Sequence, residues 1–195
     1  QSINNLLPFL EGDSVNVALF LAGKAKIIDD DISGLSYLEQ MQTNDDLISH
    51  RRLYWLARGY VLSADLAKAK EVYESYRKRA GPTIENVRLQ LDLADLIAQK
   101  SSHQDAHMFV RSLNVRKLGS NEQARLLEIK ALGQPDAREQ ERLLHALKVS
   151  HPKLTQKLTA LSLSERFRRA DRLARQWHYE EALKEYEYLS EKRYR

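Results

Sequence analysis

The sequence contains no cysteine, which excludes disulfides, thiolate chemistry and the usual structural zinc sites. That absence suits the cytoplasm and the periplasm alike and selects neither. Glycine (7) and proline (4) are scarce in 195 residues, so few positions interrupt a helix. No apolar run reaches the ~18 residues of a membrane-spanning helix, and no membrane span is expected. The N-terminal stretch QSINNLLPFLEGDS lacks the basic start and long apolar core of a signal peptide, as a trimmed chain also would. Convincing period-two alternation is nearly missing, so no strand is expected.

What is present favours helix. Long stretches are rich in Ala, Leu, Arg, Lys, Glu and Gln, side chains that lose little rotamer freedom in a helix. Hydrophobic residues are 43% and charged residues 30%, a foldable balance. The net charge is +4, but residues 1–50 carry 2 basic and 8 acidic side chains while residues 101–195 carry 19 and 13. Such asymmetry gives a dipole that steers a charged partner without naming it.

Apolar residues recur at spacings of three and four between breakers. The breakers are Gly12-Asp13, Ser33-Gly34, Gly81-Pro82, Gly119-Ser120, Gly133-Gln134-Pro135 and His151-Pro152. Asp13 or Ser14, Thr83, Ser120 and Ser164 are expected to cap the helices that follow. Short consecutive helices must each bury a face on a neighbour, so stacked pairs are expected. From Leu53 to Pro82, Leu53, Leu56, Ala57 and Tyr60 share one face of a first helix; a turn follows at Ala64-Asp65-Leu66. Ala69, Tyr73 and Tyr76 then share a face of a second helix.

This order resembles the tetratricopeptide repeat, a helix–turn–helix of about 34 residues. The departures are Leu53 for the usual Trp, Ala64 for the turn glycine, and Pro82 one place late. Ala170, Leu173, Tyr179, Ala182, Tyr186 and Leu189 repeat the order near the C-terminus. Weaker copies use Ala94, Ile97, Ala106, Val110 and Leu113; Leu127, Ala131, Leu144, Leu147 and Pro152; and Ala22, Ala25, Gly34, Leu38 and Met41. The small residue of the second helix, or its substitute, falls at Gly34, Ala69, Ala106, Gln140 and Ala182, giving gaps of 35, 37, 34 and 42. The long last gap leaves room for an extra turn or short helix within 151–165. The expected fold is all-α: one helical-repeat domain over 1–195, an irregular α-solenoid of about five pairs with units 14–43, 46–82, 83–118, 120–152 and 160–195. A plain helical bundle is the alternative.

The stretch Thr159–Glu191 carries Leu163-Ser164, Arg166, Arg169-Ala170 and Tyr179-Glu180-Glu181-Ala182-Leu183. These residues are similar to the helical superhelix region of soluble lytic transglycosylases, over about a sixth of the chain. The resemblance implies a non-catalytic part of a periplasmic enzyme acting on peptidoglycan. The final EKRYR, inside or just after a helix, reads as though more protein followed. That family's catalytic domain has a Glu-Ser followed by Gly-Leu-Met-Gln, and no Gly-Leu-Met-Gln occurs here. The only Glu-Ser pair is Glu74-Ser75, which helix phase turns away from Tyr73 and Tyr76 toward solvent.

Other clusters read similarly. His103 and His107, four apart, lack the glutamate of zinc hydrolases and a third ligand. Asp29-Asp30-Asp31 lacks the alternation of a calcium loop and reads as a helix end. Five arginines crowd 166–175, and Arg168, Arg172 and Arg175 form a basic stripe on one face. A stripe of this kind suits a polyanion, yet only Phe167 and Trp177 are near for base stacking, which argues against nucleic acid. Glu180, Glu181, Glu185 and Glu187 on the paired helix suit ion pairs with it. Tyr54, flanked by Arg51 and Arg58, sits out of phase with the buried stripe and marks a groove contact surface. No phosphate loop and no Ser-His-Asp set can be assembled, so no catalytic residue, metal or cofactor is expected. The expected function is a non-enzymatic scaffold or protein-binding module. Its partner is a protein, a peptide or another domain of a longer chain, with peptidoglycan as the partner if the enzyme resemblance holds. The compartment is periplasmic under that resemblance and cytoplasmic otherwise.

Overall fold

The computed structural model describes residues 13–43, 45–81, 83–114, 118–151 and 163–193. The closing prolines Pro82 and Pro152, and most of the stretch expected to hold an extra turn, lie outside them. Among the described residues the chain is all-α, with ten helices and no strand. They are α1 (Asp13–Ile28), α2 (Gly34–Gln40), α3 (Asp46–Leu62), α4 (Leu66–Arg77) and α5 (Ile84–Lys100), then α6 (His103–Phe109), α7 (Ser120–Leu132), α8 (Ala137–Ser150), α9 (Leu163–Arg175) and α10 (Tyr179–Arg193). No helix among the described residues is long and apolar enough to cross a membrane. The chain divides into two compact units, Gln1–Leu96 and Ile97–Arg195, with the division inside α5.

In the first unit α1 packs on α2, both pack on α3, and α3 packs on α4. The crossings are close because the meeting residues are small. A Cβ on Gly23 would collide with Leu38 and the Gly34 carbonyl, and one on Gly34 with the Gly23 carbonyl. Gly34 therefore stands at the expected helix boundary, opening α2 after the Ser33 cap, and at the crossing with α1. Ala57, Ala69 and Tyr73 are fully buried between α3 and α4, with Leu56, Tyr60 and Tyr76 beside them. The first copy of the pattern is shifted: Ala25 is exposed, whereas Gly23 and Ile27 are buried. Arg52 of α3 donates from Nε to the Leu38 carbonyl (2.5 Å) and from Nη2 to that of Glu39 (3.2 Å). A cation there satisfies carbonyls left open at the end of α2.

The second unit follows the same local rule: α6 packs on α7, α7 on α8, α8 on α9 and α9 on α10. Ala124, Leu127 and Leu147 form one core cluster, and Ala137, Leu173 and Ala182 join α8, α9 and α10 in another. Gly133, the C-cap of α7, is required by proximity, since a Cβ there would collide with the His103 carbonyl and His107 Cβ.

Side-chain caps differ in part from expectation. Asp45, Asp65, Ser102 and Asp136 accept from the backbone N–H three residues on, and Thr83 does the same for Asn86. Each such cap contributes about 1 kcal/mol. Ser120 and Ser164 lie inside α7 and α9 instead, and Gly119 occupies the cap of α7 without a side-chain bond.

Three helices end alike. Asp30, Ala64 and Trp177 adopt left-handed φ values of 57°, 56° and 66° after α1, α3 and α9. Behind each, two N–H groups turn back to the last helical turn. Asp65 N reaches the Tyr60 carbonyl and Ala64 N that of Val61, both at 3.0 Å; His178 N reaches Leu173 and Trp177 N reaches Ala174; Asp31 N reaches Lys26 and Asp30 N reaches Ile27. This is the Schellman ending, which ordinarily holds glycine because a Cβ is strained at positive φ. Asp30 thus ends a helix. Its neighbour Asp31 accepts from Lys26 Nζ (2.7 Å) and from Ser33 N (2.8 Å). Those bonds, Lys26 first, hold the Asp31 carboxyl down at about 2.

Two outcomes follow from these turns. Ala64→Gly should raise stability in urea unfolding by about 1 kcal/mol, because relief of left-handed strain outweighs the added chain entropy; a loss of stability would mean that Ala64 is not left-handed. A carboxyl lowered from 3.8 to about 2 contributes stability that is complete above about pH 4 and is lost as pH falls through about 2. The gap in stability between wild type and Asp31→Asn should therefore narrow as pH falls across that window, and a gap that stays constant would refute the Lys26–Asp31 pairing.

Candidate functional site

Two surfaces, one in each unit, gather the residues that the sequence singles out. The first lies along α3. Arg51 is exposed, and Tyr54 and Arg58 are half-buried. Tyr54 meets Trp55 edge-on (5.1 Å between centroids) and lies 5.7 Å from Tyr76, on which His50 stacks at 4.7 Å. The Arg58 guanidinium lies 5.6 Å from the Trp55 ring and Lys24 Nζ, reaching over from α1, lies 5.7 Å from it. A cation near a ring face is attracted through the ring's quadrupole. The structure thus brings Tyr54 and Arg58 together through Trp55, with Arg51 on the same helix. Spacing did not reveal Lys24, His50 or Trp55 as members. Lys24 had a faint signal, as one of only two basic residues in the first fifty.

The second surface is a cavity of about 580 Å³ in the second unit. Arg168, Arg169 and Arg172 of α9 and His103 of α6 are among its lining residues, with Gln140, Ser164, Leu132 and Pro135; none of the described lining residues is acidic. The basic stripe is divided by the fold. Arg168 is exposed and lines the cavity, whereas Arg175 lies outside the lining and pairs with Asp171 at 2.8 Å. Arg172 donates from Nη2 to Gln140 Oε1 (2.9 Å), and Gln140 Nε2 donates to the Ala131 carbonyl (2.8 Å). Burial first, then the charges of Arg169 and Arg168, pushes the Arg172 guanidinium below its ordinary value.

Behind the cavity wall the charges are compensated. Glu185 of α10 accepts from Arg166 (3.1 Å) and Arg169 (2.5 Å), and all three side chains are largely buried. Arg169 also pairs with Glu141 of α8, and Arg166 lies 4.0 Å from the Tyr188 ring. Burial outweighs Glu185 at Arg169 and lowers its value. Among the acids of α10, Glu185 makes these pairs, while Glu180, Glu181 and Glu187 are exposed.

The remaining clusters lie elsewhere. Glu74 is exposed against Arg77 at 3.7 Å, and Ser75 Oγ donates to the Glu71 carbonyl. His107 donates from Nδ1 to the Lys130 carbonyl (2.9 Å), which sets its tautomer. No group of three or more His, Asp or Glu placed to hold a metal ion occurs among the described residues.

No protein-family model, no curated protein and no solved structure matches this chain.

The ion network has a measurable consequence. Glu185→Gln removes the carboxylate that Arg166 and Arg169 share in a largely buried position and should cost about 3 kcal/mol by chemical denaturation. Unfolding at the wild-type midpoint would show that α10 does not carry this role.

Proposed function

We propose that the chain is a non-enzymatic binding module, an irregular α-solenoid of about five tetratricopeptide-like helix pairs that holds a protein segment on its first-helix flanks. Packing of α1 on α2, α3 on α4, α7 on α8 and α9 on α10 supports the repeat reading. So does the recurrence of one left-handed helix ending at Asp30, Ala64 and Trp177. The observation that carries the binding role is the α3 surface, where Lys24 and Arg58 both approach the Trp55 ring and Tyr54 meets it edge-on. Half-buried aromatic and arginine side chains dominate the energetics of protein interfaces. The cations around them favour a peptide that combines an apolar anchor with acidic residues.

A second reading follows the resemblance to soluble lytic transglycosylases. One observation favours it: Ser164, Arg168, Arg169 and Arg172 of that segment all line the cationic cavity, and peptidoglycan strands present carboxylates.

A random peptide library selected on the folded protein separates the two. Enriched acidic peptides should lose about tenfold or more in affinity on Arg58→Glu. If nothing is enriched, or the binders ignore Arg58→Glu, while the protein sediments with purified peptidoglycan, the second reading takes its place.

A further inference from the structure

The cavity against α9 poses a question that peptide binding on α3 does not answer, and it involves other residues in the other unit. The spacing of the repeats reserves position 140 for a small side chain, and Gly34, Ala69, Ala106 and Ala182 at the other such positions are all buried. Here a glutamine stands, only 3% exposed. A buried amide is tolerated only when both ends are bonded. Gln140 meets that condition by spanning the Ala131 carbonyl and the Arg172 guanidinium. The amide spends its acceptor on holding Arg172 in place at the cavity wall. Departures from an otherwise consistent local pattern are where function is expected.

The charge count gives the ligand class. Arg169 is neutralised by Glu185 and Glu141. Arg172 has the neutral Gln140 as its partner, and Arg168 makes no ion pair among the described residues. Two guanidiniums therefore remain uncompensated by the described acids on a wall that Arg169 and His103 also share. A guanidinium fork presents paired N–H groups matched to phosphate oxygens. A phosphate monoester carries between one and a half and two negative charges near neutral pH, about the charge left open here. The cavity exceeds what phosphate alone fills, and Leu132, Pro135 and Ala98 supply apolar wall for an organic remainder. Its volume of about 580 Å³ falls among ordinary small-molecule sites.

We propose that this cavity binds a small organic phosphate monoester, with Arg168 and Arg172 on the phosphate, Gln140 positioning Arg172, and the Leu132–Pro135 wall against the organic group. Isothermal titration of the whole chain with phenyl phosphate, inorganic phosphate and a soluble peptidoglycan fragment tests it. Phenyl phosphate should bind about tenfold or more tightly than inorganic phosphate, and Arg168→Gln and Arg172→Gln should each weaken it about tenfold. Arg175→Gln, outside the cavity, should leave affinity unchanged, as should Arg58→Glu on α3. Melting curves establish that the variants fold; Arg168 is exposed, so its variant carries the test if Arg172→Gln does not fold. The proposal is overturned by no heat with phenyl phosphate, by equal affinity for inorganic phosphate, by tighter binding of the peptidoglycan fragment, or by a loss with Arg175→Gln as large as with Arg168→Gln.

Discussion

The structure depends on how closely consecutive helices can approach. A short helix is marginal alone and gains its stability from the face it buries on its neighbour. That burial is greatest where the crossing residue has little or no side chain. Gly34, Ala69, Ala106 and Ala182 occupy such places, and all are inaccessible or nearly so. Around them larger side chains close the layer: Tyr73 is fully buried in α4, and Leu173 packs with Ala182. Bulk at these points would separate the helices and expose the layer.

The exception at Gln140 connects this constraint to the chemistry of the second unit. An amide in a small-residue position cannot pack passively. It must find a donor and an acceptor, and those it finds are Arg172 and the backbone of α7. Arg169 and Arg166 are held from the other side by Glu185. Five arginines in one short helix are thereby given different roles: two are held by α10, one is braced by the amide, and two are exposed. The cavity receives its charge from the braced Arg172 and the exposed Arg168, with Arg169 in its wall.

The first unit solves a different problem with aromatic residues. Tyr54 is out of phase with the buried stripe of α3, yet it does not stand alone in solvent. It leans on Trp55 and Tyr76, so its ring is fixed at low entropic cost while its other side is open. Lys24 and Arg58 add positive charge to the same cluster. The mixture of rigid rings and flexible cations makes this surface suited to a partner with both apolar and acidic groups.

Much of the local structure was legible from residue order alone. Helix class, the buried stripe Ala69–Tyr73–Tyr76, the solvent-facing Glu74-Ser75 and the helix end at Asp29–Asp31 follow from periodicity and from the chemistry of a few side chains within one or two turns. Local reading failed where the decisive neighbour was remote. Spacing marked Gly34 as the small residue of a second helix, but not that it meets Gly23 of α1. Ala64 looked like a lapse from glycine, yet its φ of 56° shows that the turn is made regardless. Arg168, Arg172 and Arg175 looked equivalent because a helical projection records direction and not company. The sequence by itself determined that arginines would cluster on α9; only the tertiary structure decided which of them would be neutralised, which braced and which left open. The reason is that an arginine's charge is settled by the acid or amide that reaches it, and here those partners, Gln140, Glu141 and Glu185, come from other helices.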